Sequence, residues 1–318
     1  YYCKGRIYAY KINSYGFRGP EFNPEKKKDC LGLVYGGSTT IGIESEYEFT
    51  YPRLLEKELL KNNFNCSFLN FGVSSKSLKY IFRRFISEVD FFKPKYVVIY
   101  NNRNSAMYDA TTNTINSDVV KNKLSLYIFQ TGYFLEKNFM SYKFMRKIFL
   151  RLRETNFGTP HPTDNSRKIN LDYFEKGYFN ILDQIYNLAS NKNITLILVK
   201  QIYYIDKKLQ ISLSNNSIKE NMALLEKYNR FNFKTKYDTD KLEEEEKYNN
   251  YFAITNVILN QQFDELKQKY PSIIVVDPLE KFYISEKDET TYDGYHLKEK
   301  GNKILADSIA KKILLKEN

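Results

Sequence analysis

Leu31-Gly32-Leu33-Val34-Tyr35-Gly36-Gly37-Ser38-Thr39-Thr40 is the stretch whose pattern decides the fold. Its first five residues form a short continuous apolar run without polar alternation. A strand buried on both faces reads this way, and such strands belong to parallel sheets. Two glycines close the run and permit a tight turn, which lifts the Ser38 hydroxyl clear of the sheet. No lysine follows at the place a phosphate-binding loop requires.

The same pattern recurs outward from this stretch. Residues 66–71 read as a second strand, ending at Asn70-Phe71-Gly72-Val73-Ser74. Residues 96–100 read as a third, opening into Asn101-Asn102-Arg103-Asn104-Ser105. Residues 194–199 and 272–276 supply a fourth and a fifth. A helix is predicted over 51–61, where Pro52 suits the first turn and Leu55 and Leu59 share a face. Another is predicted over 76–91, before Pro94 breaks the path. A third, over 240–267, carries the acidic run 243–246 on a solvated face. Leu305, Ile309 and Ile313 recur every four residues and define a final covering helix. Strand alternating with helix implies a parallel sheet with helices on both faces, and ligand sites beyond the carboxyl ends of its strands. Ser38, Gly72 and Asn104 all sit just after predicted strands.

The expected organisation is one domain over 1–318. Residues 1–30 form an irregular lead-in with turn signals at Asn13-Ser14-Tyr15-Gly16 and Arg18-Gly19-Pro20. Residues 110–192 are too long for a simple crossover and are expected to form a helical or loop insertion, or cap. That interval holds an aromatic, basic stretch over 133–153 and the turn-rich Gly158-Thr159-Pro160-His161-Pro162.

Lys and Arg number 49 against 38 acidic residues, a formal charge of +11. Such a surface attracts nucleic acid, anionic lipid or acidic glycans. The lysines are scattered and no nucleic-acid motif is present, which argues against a nucleic-acid partner. Three cysteines without metal-site spacing and two histidines argue against a zinc site, and no cofactor is expected. Cys30 and Cys66 read as small core residues, which leaves the redox compartment open. No stretch is long and apolar enough to span a membrane. The sequence opens at Tyr1-Tyr2-Cys3 without methionine, so a removed anchor or export signal, and with it membrane proximity, is an expectation.

Asp293-Gly294-Tyr295-His296 places one of the two histidines three residues after an aspartate, directly before the last helix. Ser38 as nucleophile, His296 as general base and Asp293 as its orienting carboxylate are what acyl transfer through a covalent ester needs. The Gly72 backbone amide and the Asn104 side-chain amide would supply oxyanion donors. His161, held between prolines, is the competing base and suits a lid better. Asp277, at a strand end before Pro278, is the competing carboxylate.

Gly36-Gly37-Ser38, Gly72 within Asn70-Phe71-Gly72, Asn104, and Asp293 with His296 together resemble the blocks of the SGNH, or GDSL-like, hydrolase superfamily. The lead-in Asn13-Ser14-Tyr15-Gly16-Phe17-Arg18-Gly19 is similar to that of a bacterial branch whose nucleophile block reads Gly-Gly-Ser-Thr-Thr. Two departures stand out. Gly37 replaces the usual aspartate, and the usual Gly-x-Asn-Asp block becomes Asn102-Arg103-Asn104-Ser105. The resemblance implies a three-layer α/β/α sandwich on a five-stranded parallel, flavodoxin-like sheet, and a serine ester mechanism without metal. It implies an esterase removing O-acetyl or other short acyl groups from a bacterial cell-envelope carbohydrate. The alternatives are an O-acetyltransferase of surface polysaccharide using the same triad and an inactive glycan-binding protein. A glycan substrate favours an envelope or periplasmic location.

Overall fold

The computed structural model describes residues 11–23, 30–110, 169–204, 207–228 and 242–317. Five strands form one parallel sheet in the order β2-β1-β3-β4-β5: β1 (Cys30–Gly36), β2 (Cys66–Gly72), β3 (Tyr96–Tyr100), β4 (Thr195–Val199) and β5 (Ile274–Val276). The order reverses between β1 and β3, and Gly36, the last residue of β1, lies opposite Gly72 of β2 on one side and Tyr100 of β3 on the other. A crevice at such a switch point is where open α/β sheets bind ligands.

Every residue of β1 and β3 is buried, which is why both read as unbroken apolar runs. Side chains alternate between two cores. Leu31, Leu33, Tyr35, Val97 and Ile99 face a layer that includes α3 (Leu78–Phe92), α4 (Tyr178–Ser190) and α5 (Leu242–Lys269). Val34, Tyr96, Val98 and Tyr100 face α2 (Tyr51–Lys61) and α6 (Glu299–Glu317). Leu55 and Leu59 of α2 and Leu305, Ile309 and Ile313 of α6 are fully buried there, each contributing about 2 kcal/mol of burial energy. The three-layer α/β/α sandwich expected from the sequence is the observed fold.

Two readings change. Residues 178–190 lie within the expected insertion, yet as α4 they pack against α3 and β4 as an ordinary layer of the sandwich. The stretch over 133–153 and His161 lie outside the described residues, as do the side chains of 243–246. Cys30 and Cys66 are not merely small core residues: they form a disulfide, with Cα atoms 4.6 Å apart. Parallel pairing of β1 with β2 sets Cys30 opposite Cys66 at the start of both strands. Thirty-six residues of separation hide that neighbourhood in the sequence.

Candidate active site

Ser38 begins a single helical turn, α1 (Ser38–Ile41), directly after β1 and Gly37. Gly37 lies against the Asn104 amide, which a Cβ at this position would push aside. The turn is braced from the lead-in. Arg18, only 1% exposed, donates from Nη1 to the carbonyls of Ile41 and Gly42 at 2.6 and 2.5 Å and from Nη2 to that of Ser45 at 2.7 Å. Its amide donates to the Asn70 carbonyl, and Asn70 Nδ2 donates to the Thr40 carbonyl. A guanidinium satisfying three carbonyls at one helix end fixes that end in place.

The Asp293–His296 segment is a tight loop. Thr291 and Leu297 form an antiparallel bridge across its base, and the Tyr292 amide donates to the His296 carbonyl at 2.9 Å. Gly294 takes a φ of 94°, a left-handed conformation that suits glycine. Thr39 Oγ1 donates to the Tyr295 carbonyl at 3.3 Å, tying this loop to α1.

The structure brings Ser38, His296 and Asp293 together. Ser38 Oγ lies 2.8 Å from His296 Nε2, and His296 Nδ1 lies 2.8 Å from Asp293 Oδ2. Asp293 Oδ1 accepts from the amides of His296 at 2.9 Å and Tyr295 at 3.3 Å. The carboxylate therefore holds both the ring and its backbone, and sets the tautomer with a lone pair at Nε2 facing the serine. Burial alone would raise the Asp293 carboxyl, but the hydrogen bond from the His296 ring, its charge, the His296 backbone amide and the Tyr295 side chain bring it down to about 2.

A folded value below the unfolded one, about 3.9, means that ionised Asp293 adds stability at neutral pH. That contribution is complete above the unfolded value and is lost as pH falls toward the folded one. Asp293→Asn should therefore flatten the acid limb of stability between about pH 4 and pH 2. Urea midpoints across that window check this; parallel limbs for wild type and variant would refute it.

A second carboxylate stands behind the ring. Glu44, with its side chain 8% exposed, places Oε1 3.8 Å from His296 Nδ1. Sequence reading missed it, because nothing local marks a glutamate six residues after the serine. Asp277, the competing carboxylate, is engaged elsewhere: it pairs with Lys200 at 2.9 Å and caps the Leu279 amide at 3.1 Å.

The oxyanion assignments divide. Asn104 lines a narrow cleft with Gly37, Ser38, Thr39, Tyr100, Asn101, Arg103, Gln201 and Tyr295. One hydrogen of its amide goes to the Lys76 carbonyl at 3.2 Å, and an amide nitrogen carries two. Gly72 does not offer the expected free amide. Its N–H donates to Asn70 Oδ1 at 3.0 Å, and a Cβ on it would strike the backbone of Thr40 and Ile41. Gly72 is a glycine because α1 packs directly on β2 at that point.

The altered Asn102–Ser105 block keeps a defined shape. Asn102 is fully buried; its amide donates to Gln201 Oε1, its Nδ2 to Asn260 Oδ1, and its Oδ1 accepts from Tyr178. Ser105 Oγ donates to the Asn101 carbonyl and accepts from the Leu78 amide that opens α3. Gln201, just past β4, also accepts from the Arg103 amide at 3.0 Å. Its place after a strand end was the one signal available to find it.

Among the described residues, no group of three or more His, Cys, Asp or Glu side chains is placed to hold a metal, and no helix is long and apolar enough to cross a membrane. No protein-family model matches the sequence, and no curated protein matches it. Similar solved structures include a catalytic mutant of Axe2, an acetylxylan esterase from Geobacillus stearothermophilus, at 13% identity and a TM-score of 0.48, covering 90% of this chain and 95% of that one. The psychrotrophic esterase EstA from Pseudoalteromonas sp. is 11% identical with a TM-score of 0.48, covering 91% and 100%. The lipase/acylhydrolase from Enterococcus faecalis is 15% identical with a TM-score of 0.47, covering 90% and 96%.

Proposed function

We propose that this protein is a serine esterase that removes acetyl or another short acyl group from a carbohydrate of the cell envelope. The observation that carries this reading is the unbroken chain Ser38 Oγ–His296–Asp293, with 2.8 Å at each link. A serine hydroxyl becomes a competent nucleophile once a base stands within hydrogen-bond reach of its proton.

In this reading Ser38 Oγ attacks the ester carbonyl while His296 Nε2 takes its proton. Asp293 stabilises the resulting imidazolium through Nδ1. The negative charge on the carbonyl oxygen is met by the Ser38 amide and by the free hydrogen of Asn104. His296 then protonates the departing sugar oxygen, leaving the acyl group on Ser38. Water, deprotonated by the same nitrogen, attacks that ester and releases the acid and free Ser38. The Cys30–Cys66 bridge supports an oxidising compartment, in keeping with an envelope substrate.

The purified protein should release acetate from an O-acetylated glycan and from an activated acetyl ester. Acetate is quantified enzymatically and the glycan is followed by mass spectrometry. Acetyl appearing on a glycan acceptor, with no free acetate, would replace hydrolysis by transfer.

A further inference from the structure

One charged group at the cleft has no part in the ester chemistry just described. Arg103 lies between Asn102 and Asn104 and lines the same cleft as Ser38. Its guanidinium carbon sits 3.5 Å from the centre of the Tyr295 ring and 4.7 Å from that of Phe252. Nη2 donates to the Tyr248 hydroxyl at 3.1 Å, and Nε is buried without a hydrogen-bond partner. Two other arginines meet carboxylates: Arg53 pairs with Glu48 and Glu56, and Arg84 with Glu88. Among the described residues no carboxylate lies within ion-pair distance of Arg103, and Asp293, on the far side of Tyr295, acts on its charge only from a greater distance.

A guanidinium keeps its charge when buried. Aromatic faces offset part of the cost of removing it from water, and a phenol hydroxyl offsets a little more. They leave the in-plane N–H edge as the group that new partners must approach. With Nε buried, the edge formed by Nη1 and the second hydrogen of Nη2 is the one that matches a carboxylate, which accepts two parallel hydrogen bonds in that plane. A neutral sugar hydroxyl accepts one such hydrogen bond, whereas a carboxylate accepts two and meets the charge as well. The formal charge of +11 would draw a polyanion toward the surface as well.

We propose that Arg103 is a specificity residue that binds a carboxylate on the sugar bearing the ester, so that the substrate is an O-acetylated acidic glycan built from uronic-type sugars. This rests on the esterase reading for its chemistry and adds the substrate class. The cation and the nucleophile share one cleft, so the carboxylate belongs to the acylated sugar or its immediate neighbour.

The test compares kcat/KM for an acetylated uronate oligomer, the same oligomer with its carboxyls converted to methyl esters, an acetylated sugar phosphate and 4-nitrophenyl acetate. Wild type, Arg103→Met and Arg103→Lys are measured on each. Wild type should prefer the free uronate over its methyl ester by at least about tenfold, the scale of a charge-assisted hydrogen bond. Arg103→Met should erase that preference, chiefly through KM, and Arg103→Lys should restore part of it. An equal loss on every substrate would make Arg103 a brace for Tyr295 and overturn the assignment. So would a phosphate ester preferred over the uronate. Calorimetric binding of the deacetylated uronate oligomer to Ser38→Ala reads Arg103 without turnover. If 4-nitrophenyl acetate is inert with wild type, the esterase reading fails, while binding lost on adding Arg103→Met still supports the carboxylate site. Binding that survives Arg103→Met removes it.

Discussion

Replacing Ser38 by alanine is expected to lower kcat on an activated acetyl ester by at least about 10⁴-fold, while leaving the fold intact. The size follows from the way the three groups act. Ser38 Oγ is the atom that bonds to the acyl carbon, and His296 Nε2 at 2.8 Å has no other described proton to take in this cleft. Without the hydroxyl, the oxyanion donors and the base remain, but the covalent step is gone. A group acting as a unit also makes losses non-additive, so Ser38→Ala with His296→Ala should be no worse than either change alone. Stability should fall by no more than about 1 kcal/mol, because a single partly exposed hydrogen bond is lost. Stopped assays for kcat, thermal unfolding of each variant, and mass-spectrometric detection of a fluorophosphonate adduct on Ser38 together check this. Wild-type turnover by Ser38→Ala, or an adduct on another residue, ends the covalent mechanism.

What the sequence disclosed and what it withheld follow from range. β1 and β3 were legible within a residue or two because both of their faces are buried, so their composition has no gaps. β5 spans only Ile274–Val276, and its half-buried residues gave a run that ended correctly but started too early. Ser38 and the Asp293–His296 pair stood out because each motif is local: a glycine turn after a strand, and a carboxylate three residues before a ring it can reach. Gly72 misled for a tertiary reason. Its motif is local, but the direction of its amide is set by Asn70 beside it and by α1 pressed against β2. The disulfide, Glu44 behind His296, and Arg103 against Tyr295 and Phe252 all join segments distant in the chain. No spacing rule links such residues, since the register of the sheet and the path of the last loop bring them together.

The division between Asn104 and Gly72 yields the second large effect. Asn104→Ala is expected to lower kcat by about 10²–10³-fold with little change in KM, the usual loss when one oxyanion donor is removed. Its Nδ2 sits against Gly37 at the cleft wall and spends one hydrogen on the Lys76 carbonyl. The other hydrogen acquires its full worth only when the carbonyl oxygen becomes negative, so the loss belongs in kcat. Asn104→Asp separates donation from packing. It preserves volume but sets a carboxylate where the negative charge develops, and should be at least as damaging as alanine. Gly72→Ala should behave differently, because its Cβ would strike the Thr40–Ile41 backbone. That change should lower the unfolding midpoint, with activity falling only as the folded population falls. Activity per folded molecule, from active-site titration with the fluorophosphonate, distinguishes the two. If Gly72→Ala instead folds normally and loses kcat as Asn104→Ala does, the Gly72 amide must leave Asn70 during the reaction and join the oxyanion hole after all.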